Sequence, residues 1–487
     1  MNYKMMCRFF AWVSLLETVF LIPPIVISVV DATHPSTIGF FVTALLSLGI
    51  FILFKVLSRD TSGSLYAKEG FVCVSVSWIL LSLVGCLPFV ISGAIPHFID
   101  ALFEIVSGFT TTGASILSNV EALPRAMLYW RSFSHWVGGM GVLVFLLAIA
   151  PGEKKTAGFT MHLFRAESPG PEVGKLVPKM RQTAIFLYTT YIVLTILNFI
   201  FLLIGDMDVF EAVCTALGTA GTGGFGIKND SLASYSPYIQ YVTTVFMLLF
   251  GVNFSCYYLL ILKQVKSVLR DEELRLFGVI VASSIVVIAL NILCTVNLYP
   301  TFEETFRHSA FQVASIISTT GYSTTNYDLW PSTAKVVLML LMFTGACAGS
   351  TCGGMKCARV LLLFKSLRRN IHKMLHPQQV QVIRVNGNAM DERVISNTNA
   401  YLSAYMVIFF VSFILVSLDG FSMMTVFSAV LACFNNIGPG FEGVGPMNNF
   451  ASFGVLSKIV LIFDMLAGRL EIFPILLTFS RSVWKRN

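Results

Sequence analysis

The sequence predicts an all-α polytopic membrane protein of ten transmembrane helices, four shorter re-entrant half-helices and a fourfold internal repeat. Three observations predict it. Only 12% of the 487 residues are charged and 55% are apolar, with a mean hydropathy of +0.77; ordinary soluble domains carry about a quarter charged residues. Apolar runs of about twenty residues recur, the length that crosses a bilayer core. Short polar strings built on glycine recur between them, at Gly113, Gly223, Gly321 and Gly438.

In chain order the spans are expected near 8–30, 38–57, 71–93, 129–150, 181–204, 237–262, 275–297, 334–363, 399–418 and 453–480. Lys4 and Arg8 before the first run resemble a signal peptide. Pro23–Pro24 interrupts that run and no small-residue cleavage pattern follows, so a retained helix is expected. Four weaker segments, about 99–111, 207–221, 304–319 and 421–436, are too short to cross, and each ends in Gly, Thr or Asn. Irregular backbone at membrane depth survives only when buried in protein or lining a cavity, so these are expected to be half-helices followed by loops. Basic residues gather at 4–8, 55–68, 154–181, 263–275, 365–393 and 481–486. That placement puts both termini in the cytoplasm and explains the net charge of +7 without nucleic acid.

From residue 71 the order is span, half-helix, loop, span, four times over. The expected organisation is a two-helix extension over 1–60, then pore repeats over 61–155, 156–265, 266–370 and 371–487, the third carrying an interrupted span. The loops align as "TTTGAS", "AGTGGF", "STTGYS" and "NNIGPG". Four such loops around an axis can supply rings of backbone carbonyls that replace the hydration shell of a cation. Glycine allows the backbone angles this needs. Ligand carbonyls are therefore expected at Thr111 and Thr112 before Gly113, Gly221 and Thr222 before Gly223, Thr319 and Thr320 before Gly321, and Asn436 and Ile437 before Gly438. Each half-helix would aim its negative C-terminal end at the ion.

These motifs, with "STTGYSTTNY" and "GACAGSTCGGMK", resemble the Trk/Ktr/HKT superfamily of potassium transporters, TrkH type, over nearly the whole chain. The resemblance implies four span–pore–span repeats folded like a four-subunit potassium channel. It also implies potassium as the transported ion with no organic cofactor, residence in the bacterial cytoplasmic membrane, and a homodimer resting on a cytosolic nucleotide-binding regulator of TrkA type. "TTGYS" keeps only part of the channel filter pattern "TVGYG", with Ser323 at the second glycine, and Pro439 follows the fourth glycine. Potassium preference with imperfect rejection of sodium is expected.

Gly345, Gly349, Gly353 and Gly354 interrupt the eighth span. They suit either close helix packing or an unwound stretch lining a cavity, and their position favours the second. The resemblance implies an intramembrane loop that blocks the pore and moves on opening. Lys356 just past it, and Arg469 in "FDMLAGRLEIFP", are charges at costly depth. Facing the axis, Arg469 would be an electrostatic barrier; Glu471 is a poor partner for it, being two residues away on the same helix. Asp100, Glu104 and Glu211 are expected to cap half-helices or line an outer vestibule, and His135 to lie at the membrane interface.

Other classes fit less well. "GPEVGKL" (170–176) lacks the spacing, the Ser/Thr after Lys175 and the preceding strand of a phosphate loop. Transport would then run on the ion gradient and the membrane potential, worth roughly 2.3 kcal/mol per charge per 100 mV. No matched cluster of nucleophiles and bases suggests an enzyme. A cation-coupled secondary transporter, a symporter with proton or sodium, stays open as the alternative. It would be expected to show inverted repeats and a pocket of polar side chains, whereas these repeats run in parallel sense. The basic loops at 154–181 and 365–393 offer docking surfaces, or contact anionic lipid.

Overall fold

The computed structural model describes residues 1–59, 67–141, 180–296, 298–379 and 381–484. The basic stretch 154–179, the 170–176 motif and the end of the span expected at 129–150 lie outside them. Among the described residues the regular structure is helical apart from one hairpin, Arg384–Val385 paired with Asn388–Ala389.

Tyr3–Phe20 and Ile22–Val30 form the first span, turning at Leu21, where Pro23 and Pro24 fall in the first turn of the second piece. Proline is tolerated there because those N–H groups have no intrahelical partner. His34–Leu57 completes the extension and turns Ile38, Phe41, Leu45 and Leu53 outward, as a lipid-facing helix should.

Each repeat then runs long helix, half-helix, short helix. The long helices are Ala67–Gly85, Met180–Ile204, Glu272–Thr295 and Glu392–Ser417. The half-helices are Phe98–Phe109, Val209–Gly221, Phe302–Ile317 and Met423–Phe434. The short helices are Arg125–Met140, Pro237–Gly251, Ser332–Thr344 and Val455–Arg469. Every short helix packs on the half-helix of the next repeat, and the fourth, Val455–Arg469, packs on the first half-helix. The repeats therefore close into a ring with the half-helices inside.

Not all of the ten expected spans are single long apolar helices. Among the described residues six helices are long and apolar enough to cross a membrane, or seven with the pair Pro237–Gly251 and Phe254–Ile261, which bends by 89°. The difference lies in the short helices, which all stop after thirteen to sixteen residues. The first ends at Gly141 (φ 78°) and the second at Val252–Asn253, where Asn253 caps the next helix. The third gives way to residues 345–356, and the fourth turns at Glu471 and Ile472 (φ 59° and 64°) before Phe473–Phe479. Interruption was expected only in the third.

Candidate functional site

All four half-helices end in the same way. One residue past the second helix and two past the others, the backbone turns left-handed: Thr111 (φ 57°), Thr222 (53°), Thr319 (55°) and Asn436 (55°). The left-handed residue's N–H donates three residues back, and the next N–H donates five residues back: Thr112 to Ser107 at 2.8 Å, Gly223 to Gly218 at 3.0 Å, Thr320 to Ser315 at 2.9 Å, Ile437 to Ala432 at 2.9 Å. This pairing is the Schellman motif, which normally takes glycine at the left-handed position. β-branched threonine at positive φ is strained, and strain of this kind concentrates at functional sites.

Two residues further on, each loop returns to positive φ at a glycine: Gly113 (82°), Gly224 (74°), Gly321 (85°) and Gly438 (96°). The second loop is thus one residue out of the expected register. Its glycine equivalent to Gly113 is Gly224, not Gly223, and Gly221 is the last residue of the half-helix. The matching triplets are Thr111–Gly113, Thr222–Gly224, Thr319–Gly321 and Asn436–Gly438.

These glycines meet each other's loops in a closed cycle. A Cβ on Gly113 would collide with the carbonyl oxygen of Gly223, one on Gly224 with that of Thr320, and one on Gly321 with that of Ile437; one on Gly438 would lie 2.6 Å from that of Thr112. The four oxygens belong to the middle residue of each triplet. Thr110 and Thr112, and likewise Ser318 and Thr320, share hydrogen bonds between hydroxyls (2.8 and 2.7 Å). Asn436 Nδ2 donates to Thr112 Oγ1 (3.0 Å), joining the last loop to the first.

Residues 345–356 lie directly against this ring, with Gly345, Gly349, Gly354 and Lys356 at positive φ. The Gly353 N–H donates to Thr319 Oγ1 (2.7 Å). The buried Lys356 ammonium donates to the Cys352 carbonyl within the same loop. Arg469 donates to the carbonyls of Thr351 (2.9 Å), Gly139 (2.7 Å) and Gly138, tying the loop to the end of the first short helix. Glu471 pairs with Arg359 from the helix after the loop, whose guanidinium also stacks 3.8 Å from the Tyr401 ring centroid.

Sequence reasoning missed several groups. Glu273 Oε1 accepts from Ala348 N (2.6 Å) and Ala358 N (3.0 Å), gripping both sides of the loop. Glu104 is no vestibule residue: it is fully buried and paired with Arg131. His135 is buried against the loops, and Asp100 binds Lys458 Nζ (2.6 Å), leaving His97 as the cap position of the first half-helix. Tyr327 hydroxyl donates to Gly440 O (2.9 Å), so the tail of "STTGYSTTNY" braces the fourth loop. Repeat alignment alone carries no signal for these. Among the described residues no group of three or more His, Cys, Asp or Glu gathers into a metal site.

Comparison with known proteins agrees with this architecture. The TrkH family model, described as a cation transport protein, matches residues 41–486. The chain is 36% identical over 433 residues to the Trk system potassium uptake protein TrkH of Escherichia coli (strain K12), covering 88% of each. It is 34% identical over 492 residues to the Trk system potassium uptake protein TrkG of the same strain, covering 99% of this chain and 98% of the other. The crystal structure of the potassium transporter TrkH from Vibrio parahaemolyticus superposes with a TM-score of 0.86 at 31% identity, covering 100% of both chains. The chain belongs to the TrkH family of cation transport proteins, and is a multi-pass membrane transporter rather than an enzyme.

Proposed function

We propose that this chain takes up potassium ions across the bacterial cytoplasmic membrane, with the four triplets as its selectivity filter. The observation that carries the reading is the repeated pattern of a left-handed residue, a middle residue and a left-handed glycine, closed into a cycle of loop contacts. Alternating backbone handedness turns successive carbonyls to one side. Four such loops offer stacked oxygen rings in place of water, and the half-helix C-termini favour a cation there. The relatives, Trk system potassium uptake proteins by name, support the choice of ion.

In this reading residues 345–356 are the gate. Bound to Thr319 and held by Arg469 and Glu273, the loop obstructs the path below the filter, and conduction requires it to move. Arg469 adds a positive barrier. The chain would work as a homodimer with a TrkA-type cytosolic regulator, its termini in the cytoplasm. The test is rescue of a potassium-uptake-deficient bacterium at low potassium, with uptake by purified vesicles. Gly321→Ser should lower potassium-over-sodium preference. No potassium or rubidium uptake by the intact protein overturns the function, and unchanged preference in a folded Gly321→Ser protein overturns the filter assignment.

A further inference from the structure

We propose that Glu104, Arg131 and His135 form a positioning unit that holds the first two filter loops and thereby sets the potassium-over-sodium preference. The proposal rests on the filter reading above. The unit packs against the loops from the first half-helix and first short helix, and its imidazole touches Gly223, one of the residues that supply the ring oxygens. Arg131 Nε donates to Glu104 Oε1 at 2.8 Å, and the two side chains are 2% and 0% exposed. The Glu104 carboxylate also accepts from the Ile116 N–H (2.9 Å) and the Ser115 hydroxyl (3.0 and 3.1 Å), both just past Gly113. Arg131 reaches the second loop. Its Nη1 donates to Gly226 O (3.3 Å) and its guanidinium carbon sits 4.1 Å from the Phe225 ring centroid, both just past Gly224.

His135 completes the link. The Phe225 N–H can only donate, so Nε2 accepts from it (3.3 Å). The proton then sits on Nδ1 and is donated to Gly108 O (2.8 Å), near the end of the first half-helix. The same ring fills the space a Cβ on Gly223 would need, and packs 4.2 Å from the Phe225 ring. One ion pair and one neutral imidazole therefore clamp the exits of two neighbouring loops to one short helix.

Among the described residues no other half-helix carries a carboxylate at the position of Glu104. Seven residues before the left-handed position, where the first half-helix has Glu104, the others have Thr215, Gln312 and Ala429. The third loop is held instead by Ser315 Oγ donating to Tyr322 O (2.6 Å), and the fourth by Ser428 Oγ accepting from Phe441 N (2.9 Å). A fully buried ion pair is expensive to desolvate, and an apolar replacement of equal volume often matches its stability. What the pair supplies here is directional hold: its charge-assisted bonds have fixed geometry. His135 touches Gly223, whose carbonyl faces Gly113, and the Thr112 carbonyl faces Gly438, so slack at the exits reaches the ring.

The experiment uses the full chain in vesicles, measuring potassium uptake and its inhibition by sodium for wild type, Glu104→Gln, Arg131→Lys and His135→Gln. Loss of a charge-assisted bond at Glu104 or Arg131, or of the imidazole's two bonds at His135, is expected to lower potassium-over-sodium preference by about tenfold. The maximal rate is expected to change by less than about threefold, the signature of altered ion binding rather than lost protein. Wild-type preference in these variants, while Gly321→Ala shifts it, overturns the positioning role and leaves the filter reading standing. Wild-type preference in all four, Gly321→Ala included, overturns both. If the ion-pair variants do not fold, Ser115→Ala removes the hydroxyl that bonds Glu104 and Arg131, and Phe225→Leu the ring that packs on Arg131 and His135, leaving the ion pair intact. A smaller shift in the same direction supports the proposal, and an unchanged preference overturns it.

Discussion

Gly224→Ala probes the ring where the alignment and the fold disagree. Gly224 has φ 74°, and a Cβ there would collide with the Thr320 carbonyl oxygen and lie 3.0 Å from the Gly321 carbonyl carbon. Left-handed backbone costs a residue with a Cβ roughly 1–2 kcal/mol. Relieving the overlap pushes the Thr320 carbonyl back by on the order of 1 Å to reach van der Waals distance, and such overpacking costs about 1–3 kcal/mol. The sum, about 2–5 kcal/mol, is below the stability of a typical domain, so the chain still folds with a displaced ring. If only about 1.4 kcal/mol reaches the ion, preference changes tenfold. The assay is potassium uptake into vesicles with sodium competition, beside a thermal unfolding scan. Potassium-over-sodium preference should fall by at least about tenfold. A monodisperse Gly224→Ala protein with wild-type preference would refute the reasoning. Gly49→Ala is the control: Gly49 has nothing within 4 Å of its Cβ position, and alanine should leave preference unchanged while adding up to about 1 kcal/mol of helix stability.

Three further outcomes follow from the same geometry. Arg469→Ala removes charge-assisted bonds to Thr351, Gly138 and Gly139; each is worth about 1.5–3 kcal/mol, so potassium efflux from loaded vesicles should rise about tenfold or more, and unchanged efflux would contradict a barrier role. Gly353→Ala sets a Cβ 2.6 Å from Asn435 O and 2.8 Å from Asn436 Cβ; the closed loop should lose about 1–3 kcal/mol, again raising efflux, and a lower efflux would argue that the loop does not obstruct the path. Tyr327→Phe deletes the buried hydrogen bond to Gly440 O; it should cost about 1–2 kcal/mol, read as a lower thermal midpoint, and an unchanged midpoint would show that this brace carries no stability.

The repeat was legible because its marks are local. A polar residue and a glycine two places on recur in every loop, so the pattern shows as letters in the sequence. Register in the second loop was not, because "GTGGF" offers Gly221, Gly223 and Gly224, and only the backbone angles separate them. The break in the third short helix shows as four glycines. The break in the fourth falls at Glu471 and Ile472, ordinary helix residues held at positive φ by tertiary structure. Glu104, Arg131 and Glu273 were visible as charges, but Arg131 lies 27 residues from Glu104 and 95 from Gly226, and Glu273 lies 75 and 85 from Ala348 and Ala358. Long-range pairing of that kind leaves no periodicity to detect.

The cycle of loop contacts also orders assembly in time. Its last link joins residues at the two ends of the chain: Asn436 reaches Thr112 across 324 positions, and Lys458 reaches Asp100 across 358. A chain leaving the ribosome must therefore insert its first three repeats while the first loop still lacks one neighbour. Unfinished polar backbone of this kind is what traps and aggregates slow, high-contact-order folds. Fragments that stop before the fourth repeat would leave the first loop open on one side, however well their helices insert, so synthesis of the fourth repeat is itself the step that closes the ring of loops.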